Sequence, residues 1–181
     1  MPYLIAAVIL IGLACAANLL LTFGVIRRLK AGAGTPSADH GLPPTLPVGS
    51  PLPTFAADTI DGARVDNTTM AGSRQLIGFF STSCASCKDR APEFLAYAAA
   101  EGFDSRRTLA IVQGPAAHTA EFVRAHLDAA SSLSIAVEPE DGPLARSLGV
   151  VAFPQFYLVD ADGHLESVAL SIRRLPTTAG A

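Results

Sequence analysis

The sequence lacks tryptophan altogether, and only three of its 181 residues are cysteines. Three cysteines are too few for a framework of structural disulfides, so a small disulfide-stapled scaffold is excluded. Charged residues are also scarce, and the formal net charge is −3. Because a nucleic-acid partner usually requires a basic face, no nucleic acid is expected to bind.

Apolar residues are abundant: they make up 50% of the chain and give it a mean hydropathy of +0.37. Residues 3–26 contain no charged side chain. At about 1.5 Å per residue, a helix of this length exceeds the roughly 30 Å hydrocarbon core of a bilayer. The sequence therefore predicts a transmembrane helix with a basic flank in residues 1–30.

A cleaved signal peptide is one alternative for this stretch, but the run is long and no Lys or Arg precedes it. A lipoprotein anchor at Cys15 is another, but Gly12 stands where a bulky aliphatic residue is expected. We therefore interpret Cys15 as a small buried residue of an uncleaved helix.

Proline and glycine crowd residues 31–51, which follow this helix. They disfavour both helix and sheet, so a flexible to semi-extended linker is predicted there. A folded domain is predicted over residues 52–172. Residues 173–181 are predicted to form a flexible tail, because they contain proline, glycine and other small residues.

Within the folded domain, short apolar runs alternate with helical patterns. Asp61 and Gly62 separate two strand-like stretches and predict a β-hairpin. Further strands are predicted at residues 75–80, 108–112, 133–137, 156–159 and 164–170, and helices at residues 85–100, 116–129 and 143–148. This alternation predicts an α/β fold with a mixed central sheet that helices cover on both faces.

The cysteines Cys84 and Cys87 are separated by two residues, and they lie between a predicted strand and the predicted helix of residues 85–100. The thiolate is the reactive form of cysteine, and a helix N-terminus favours negative charge, so Cys84 is predicted to be the nucleophile. Cys87 would lie one turn further along and be more buried, which suits a resolving thiol. The pair thus indicates a thiol–disulfide oxidoreductase.

The same spacing is also half of a zinc site. A structural zinc site usually needs a second pair of Cys or His ligands. The four histidines are instead scattered singly, at His40, His118, His126 and His164. Neither a metal nor another cofactor is therefore expected.

Two segments resemble the thioredoxin superfamily. Residues 79–93 read FFSTSCASCKDRAPE and are similar to its active-site segment, with Lys88 directly after the second cysteine and Pro92 five positions after it. Residues 148–163 read LGVVAFPQFYLVDADG and resemble the segment around the cis-proline of that family. The linker, the early Pro-Thr-Phe and the hairpin resemble the membrane-anchored TlpA-like branch, and accessory thioredoxins of the methylamine-utilisation type are similar too.

The resemblance implies a thioredoxin-like fold and a protein that reduces or oxidises protein disulfides. It implies a cis peptide bond between Phe153 and Pro154 that faces Cys84. The backbone next to this bond would pair with a protein disulfide or dithiol substrate. Lys88 and Arg90 are candidates for electrostatic support of the thiolate.

The resemblance also implies a single-pass membrane protein whose catalytic domain lies outside the cytoplasm, where a reductase would need electrons from a membrane partner. The basic residues Arg27, Arg28 and Lys30 follow the apolar run, and the positive-inside rule alone would place the domain on the cytoplasmic face. We favour the extracytoplasmic placement because long domains can override the flanking charge.

The sequence departs from the family pattern at four positions, one of which is Phe153, where a smaller residue is common in the family. Gly78 stands where thioredoxins carry a buried Asp that assists the second cysteine, Ser83 stands where many relatives carry Trp, and Arg90 falls where some TlpA-like relatives carry Glu. Asp89 and Glu93 are therefore candidates for the proton acceptor of Cys87 by proximity alone.

Two other functions use the same cysteines. A peroxidase of the peroxiredoxin type shares this fold, but its cysteine normally follows a Pro-x-x-x-Thr-x-x arrangement, and no suitable Pro is present here. A copper-handling or maturation chaperone would use both cysteines as soft ligands. Copper sites in related folds usually add a His or Met, and the sequence does not place His118 there.

Overall fold

The computed structural model describes residues 46–127 and 133–178, together with the two positions Gly12 and Cys15. The rest of the predicted transmembrane helix, its basic flank of Arg27, Arg28 and Lys30, most of the linker and the last residues of the tail lie outside the described residues. Within the described part of the chain, no helix is both long and apolar enough to cross a membrane. The chain divides into two compact units, residues 1–42 and 43–181.

The second unit is organised around a five-stranded sheet. The described elements are, in chain order, β1 (Ala56–Asp58), β2 (Arg64–Asp66), α1 (Asn67–Met70), β3 (Gln75–Ser81), α2 (Ala85–Ala100), β4 (Thr108–Gln113), α3 (Ala116–His126), β5 (Ser134–Glu138), α4 (Pro143–Ser147), β6 (Gln155–Val159), β7 (Leu165–Ala169) and a 3-10 turn (Ile172–Arg174). The strand order is β5-β4-β3-β6-β7. The strands β3, β4 and β5 are parallel, whereas β6 is antiparallel to β3 and β7 to β6. The predicted mixed sheet is confirmed.

The central strand β3 is buried along its whole length because both faces of the sheet are covered. Its residues alternate between the two faces, as the pleat of a strand requires. Leu76 and Phe80 pack in the core that contains α2, α3 and the 3-10 turn. Ile77 and Phe79 pack in the core that contains the β1–β2 hairpin, α1 and α4. Helices therefore lie on both faces of the sheet, as predicted.

The short helix α1 is absent from the sequence-based prediction. It begins with a capping box: the Asp66 carboxylate accepts hydrogen bonds from the backbone N–H groups of Thr68 and Thr69, at 2.9 and 2.8 Å. The Thr69 hydroxyl in turn accepts one from the N–H of Asp66 at 2.8 Å. Such a single turn is too short to show a helical period, and its cap is the one signal that local sequence offers.

The folded domain extends beyond its predicted boundaries at both ends. The predicted linker ends at residue 51, yet the N–H of Gly49 donates to the carbonyl of Leu165 at 2.7 Å. The predicted tail begins at residue 173, yet Leu175 is buried and the N–H of Thr178 donates to Glu101 at 2.7 Å. Local composition predicts neither contact, because both join residues far apart in the chain.

A buried carboxylate sets the position of α4, whose end leads into the segment opposite the cysteines. Glu138 is only 7% exposed, and its oxygens accept from the N–H groups of Leu144 and Ala145 at 2.9 and 3.1 Å. The Gln113 side chain donates to the same carboxylate at 2.7 Å. Glu138 thus caps α4, because the N-cap residue itself is Gly142 and has no side chain to do so.

Candidate active site

The two cysteines lie at the carboxyl edge of the parallel strands, where β3 ends and α2 begins. Cys84 is the N-cap residue of α2 and has an extended backbone. Thr82, two residues before Cys84, is held by the end of β4, since its N–H donates to the carbonyl of Gln113 at 3.0 Å. Gly114 has a φ of 146°, and a Cβ on it would collide with the Thr82 hydroxyl. Glycine at this position therefore lets the loop before Cys84 pack against the next strand.

The two thiols are free and differ in exposure. Cys84 is partly exposed, and its Sγ lies 3.1 Å from the Ser86 hydroxyl oxygen. Cys87 is fully buried, and its Sγ accepts a hydrogen bond from the N–H of Ser81 at 3.4 Å. A protein disulfide approaching from solvent can therefore reach the sulfur of Cys84 but not that of Cys87.

The protonation of the two thiols differs in the same direction. Partial burial raises the pKa of Cys84, but hydrogen bonds from the Cys87 thiol and the Ser86 hydroxyl outweigh it, so that the pKa lies below its ordinary value. Burial, followed by the hydrogen bond to Cys84, raises the pKa of Cys87 far above its usual range. As the pH rises, the thiolate therefore forms first at Cys84, the exposed sulfur.

Ser86 is a site residue that sequence reasoning missed, although it lies within the cysteine motif. We expect Ser86→Ala to slow the alkylation of Cys84 at pH 7 by about tenfold, because a hydrogen bond to a charged group contributes about 1.5 kcal/mol. The measurement is the rate of iodoacetamide labelling against pH. Ser83→Ala is the matched control, since the Ser83 hydroxyl bonds Ser81 at 2.9 Å rather than a cysteine sulfur. Equal rates in the two variants would contradict this prediction.

The segment before β6 faces Cys84 from the other side. The peptide bond between Phe153 and Pro154 is cis, as the resemblance implies. The Cys84 thiol donates a hydrogen bond to the carbonyl oxygen of Phe153, with a distance of 3.4 Å between sulfur and oxygen. Phe153 is half-buried and Pro154 is buried. The fold thus brings Cys84 together with a residue that follows it by 69 positions.

The two basic candidates lie at different places. Lys88 is exposed and lines a cleft of about 280 Å³ with His118 and His126. Arg90 is paired with Glu93 at 2.7 Å. Among the described residues, no hydrogen bond or ion pair joins Lys88 or Arg90 to the sulfur of Cys84, so any support of the thiolate by either residue acts at longer range.

The acidic candidates are poorly suited to accept the proton of Cys87. The Glu93 carboxylate binds the guanidinium groups of both Arg90 and Arg173, each at 2.7 Å. The hydrogen bond from Arg90 is the main reason why the pKa of Glu93 lies below its ordinary value, and a carboxylate of low pKa is a weak base. Asp89 is exposed, whereas Cys87 is fully buried.

The position of the missing buried acid is occupied by aromatic rings. A Cβ on Gly78 would lie 2.7 Å from the ring of Phe94. That ring is fixed, because it stacks on Phe156 with centroids 5.8 Å apart and meets Phe80 edge to face at 5.5 Å. Glycine at this position is therefore required by the packing of the core, and no carboxylate can reach Cys87 from there.

Metal ligands beyond the two thiols are not gathered at this site. Across residues 46–127 and 133–178, no group of three or more His, Cys, Asp or Glu side chains is arranged to hold a metal ion. His118 lies in the cleft with Lys88. Among the described residues, the copper-handling alternative would thus have the two sulfur ligands without an added His.

Comparison with known proteins places this sequence in a family. The sequence profile of the AhpC/TSA family matches residues 48–168. No curated protein sequence matches the chain significantly.

Similar solved structures share the fold. One is the thioredoxin domain of a thiol-disulfide oxidoreductase from Bacteroides vulgatus, with 20% identity, a TM-score of 0.59 and coverage of 70% of this chain and 91% of that one. A putative thiol:disulfide interchange protein DsbE from Chlorobium tepidum has 23% identity, a TM-score of 0.58 and coverage of 72% and 89%. A secreted disulfide oxidoreductase of Mycobacterium tuberculosis has 20% identity, a TM-score of 0.53 and coverage of 70% and 90%. The thioredoxin-like fold is confirmed.

Proposed function

We propose that this chain, which belongs to the AhpC/TSA family, is a membrane-anchored thiol–disulfide oxidoreductase that exchanges disulfides with proteins through Cys84 and Cys87. One observation carries the proposal, namely the asymmetry of the two thiols. Cys84 is accessible and has a lowered pKa, while Cys87 is buried and keeps its proton. This is the arrangement that a nucleophile and a resolving thiol require.

In the reducing direction, the thiolate of Cys84 attacks one sulfur of a substrate disulfide. A mixed disulfide forms, and the other substrate sulfur leaves as a thiolate that takes up a proton. Cys87 then loses its proton and attacks the sulfur of Cys84, which forms the Cys84–Cys87 disulfide and releases the second substrate thiolate, which is protonated in turn. The substrate gains two electrons and two protons, and the chain loses them. Oxidation of a substrate dithiol follows the same steps in reverse.

Phe153 and Pro154 are assigned to substrate binding in this proposal. The Phe153 carbonyl lies within hydrogen-bond distance of Cys84 Sγ, so a substrate backbone that pairs with this segment has its disulfide beside the nucleophile. Pro154 has no N–H, and the carbonyl of Phe153 before it faces the sulfur.

The proposal is tested by disulfide exchange between the full-length chain and a disulfide-bonded reporter protein. We expect Cys84→Ala to reduce the exchange to the uncatalysed rate, because the accessible thiolate is removed. Cys15→Ala is the matched control, since it also removes one thiol but leaves the Cys84–Cys87 pair intact, and it should retain the full rate. Exchange that survives Cys84→Ala would overturn the proposal.

The membrane anchor and the side on which the domain lies are part of the same proposal. Residues 3–26 form the anchor, the Pro- and Gly-rich linker after it connects it to the domain, and the domain lies outside the cytoplasm, where a membrane partner supplies electrons for reduction. In a Cys15→Ala background, a membrane-impermeant maleimide applied to intact, reduced cells should label Cys84. Labelling that appears only after lysis would instead place the domain in the cytoplasm.

Peroxide reduction of the peroxiredoxin type is an alternative that is also compatible with the AhpC/TSA match. In that reaction, the Cys84 thiolate would attack a peroxide oxygen, become a sulfenic acid and release water or an alcohol. The two functions are separated by the Cys87→Ser variant with an external thiol as reductant. Rapid peroxide consumption by this variant would favour the peroxidase, and its absence would favour protein disulfide exchange.

A further inference from the structure

Three hydrogen bonds, two of them buried and one partly buried, tie together the segment that faces Cys84. The N–H of Val151 donates to Gln155 Oε1 at 3.1 Å. Gln155 Nε2 donates to the Tyr157 hydroxyl at 2.6 Å, and that hydroxyl donates to the carbonyl of Leu148 at 2.8 Å. The side chains that make these bonds are enclosed, with Gln155 1% exposed and Tyr157 fully buried.

The network joins the beginning and middle of the loop that carries the cis-proline to the first residues of β6. Leu148 directly follows α4, and Val151 lies three residues before Pro154. Gln155 and Tyr157 alternate with Phe156 along β6 and therefore lie on the same face of the sheet. The ring of Tyr157 is itself fixed against Phe79, edge to face at 5.9 Å. A fully satisfied buried network of this kind holds one conformation, because each broken bond would leave a buried polar group unpaired.

The loop held in this way ends at the Phe153 carbonyl, 3.4 Å from the sulfur of Cys84. This carbonyl oxygen accepts the S–H of the neutral thiol. It faces a thiolate with like partial charge, so a carbonyl kept at this distance favours the protonated form of Cys84. The position of the loop is therefore linked to the reactivity of the cysteine, although neither Gln155 nor Tyr157 touches the sulfur.

We propose that Gln155 and Tyr157 are positioning residues, whose buried hydrogen bonds hold the Phe153 carbonyl against the sulfur of Cys84 and keep the loop in the shape that receives a substrate backbone. The inference rests on the proposed function in one respect, the assignment of Cys84 as the reacting thiol. It adds a role for two side chains that the cysteine chemistry itself does not use.

The test is the pH profile of Cys84 alkylation in the full-length chain with Tyr157→Phe, which removes the hydroxyl and two of the three bonds. Freed from the network, the Phe153 carbonyl can turn away from the sulfur, so the profile should shift to lower pH. Labelling at pH 6 should become about two- to tenfold faster, the range expected for the loss of one hydrogen bond to the thiol form. In the exchange assay, KM for the reporter protein should rise because the loop is no longer held in place.

The matched control is Tyr97→Phe, because the Tyr97 hydroxyl also bonds a backbone carbonyl, that of Pro176, at 2.5 Å, but on the part of α2 remote from Cys84. Gln155→Met, which keeps the volume but removes the amide, is the second variant and should shift the profile in the same direction. If both network variants fold with reduced stability and keep the profile of Tyr97→Phe, the role is merely structural and the proposal is wrong. If Tyr157→Phe does not fold, Gln155→Met decides.

Alkylation requires no substrate, so failure of the exchange assay would overturn the proposed function and leave this test standing.

Discussion

A Cys87→Ser variant is expected to accumulate disulfide-linked complexes with its substrate proteins, whereas Cys84→Ser should form none. Cys84 is the accessible sulfur with the lowered pKa, so it attacks first and carries the substrate. Cys87 is the sulfur placed to resolve that mixed disulfide, one helical turn further along α2. Without it, the complex lasts until an external thiol enters, and turnover with protein substrates falls to the rate of that slow reaction.

The measurement is gel electrophoresis of alkylated extracts with and without reductant, followed by identification of the proteins released by reduction. The double variant Cys84→Ser/Cys87→Ser is the control and should give no complexes. Equal trapping by Cys84→Ser would show that the two cysteines have the opposite roles.

The second step of the wild-type reaction should also have a steep pH dependence. Burial is the main cause that raises the pKa of Cys87. We expect this burial to persist in the mixed disulfide, whereas the part due to the Cys84 thiol disappears. Below that pKa, the thiolate fraction of Cys87 increases about tenfold per pH unit. The release of substrate from a preformed mixed disulfide should therefore keep accelerating from pH 6 to pH 9. A plateau near neutral pH would reveal a base that the structure does not place beside Cys87.

Much of the fold can be predicted from the sequence, because the signals for its strands, its hairpin and the end of α2 each lie within a few neighbouring residues. Alternating apolar runs predicted the strands of the sheet, and Asp61 with Gly62 predicted the hairpin, as the antiparallel pairing of β1 and β2 confirms. The predicted end of α2 at residue 100 is confirmed, and Gly102 just beyond it has a φ of 70°. These features depend on side-chain period and backbone conformation, both of which can be recognised within a few residues.

The features that were missed depend on contacts between distant residues. Ser86 could be suspected from its place in the motif, but its hydroxyl is relevant because it points at the sulfur of Cys84. Gln155 and Tyr157 appear in the sequence as ordinary strand residues, and their network becomes visible once β6 is packed against the loop before it. The position of Pro154 opposite Cys84 came from the family resemblance, since no local pattern joins two segments so far apart.

Gly78 connects the packing of the core with the chemistry of the site, and Gly78→Asp is expected to be among the most destabilising single changes in the domain. The new Cβ would lie 2.7 Å from the ring of Phe94, which is itself held between Phe156 and Phe80. Overpacking of a core costs about 1–3 kcal/mol, and the enclosed carboxyl group adds about 1–3 kcal/mol unless it finds a partner. We therefore expect the free energy of unfolding to fall by about 3 kcal/mol or more, measured by urea denaturation.

Gly78→Ala is the matched control and should lose about 1–3 kcal/mol, because it adds the methyl group without the polar atoms. Combining Gly78→Asp with Phe94→Ala should be less harmful than the sum of the two single changes, since the cavity left by the ring accommodates the new side chain. If that double variant folds, a carboxylate would stand on the face of β3 that packs against α2, the helix that carries Cys87, and the pH dependence of mixed-disulfide resolution should weaken as the acid takes up the proton of Cys87. A Gly78→Asp variant as stable as the wild type would instead show that the aromatic cluster adapts, and that the absence of an acid at this position has another cause than packing.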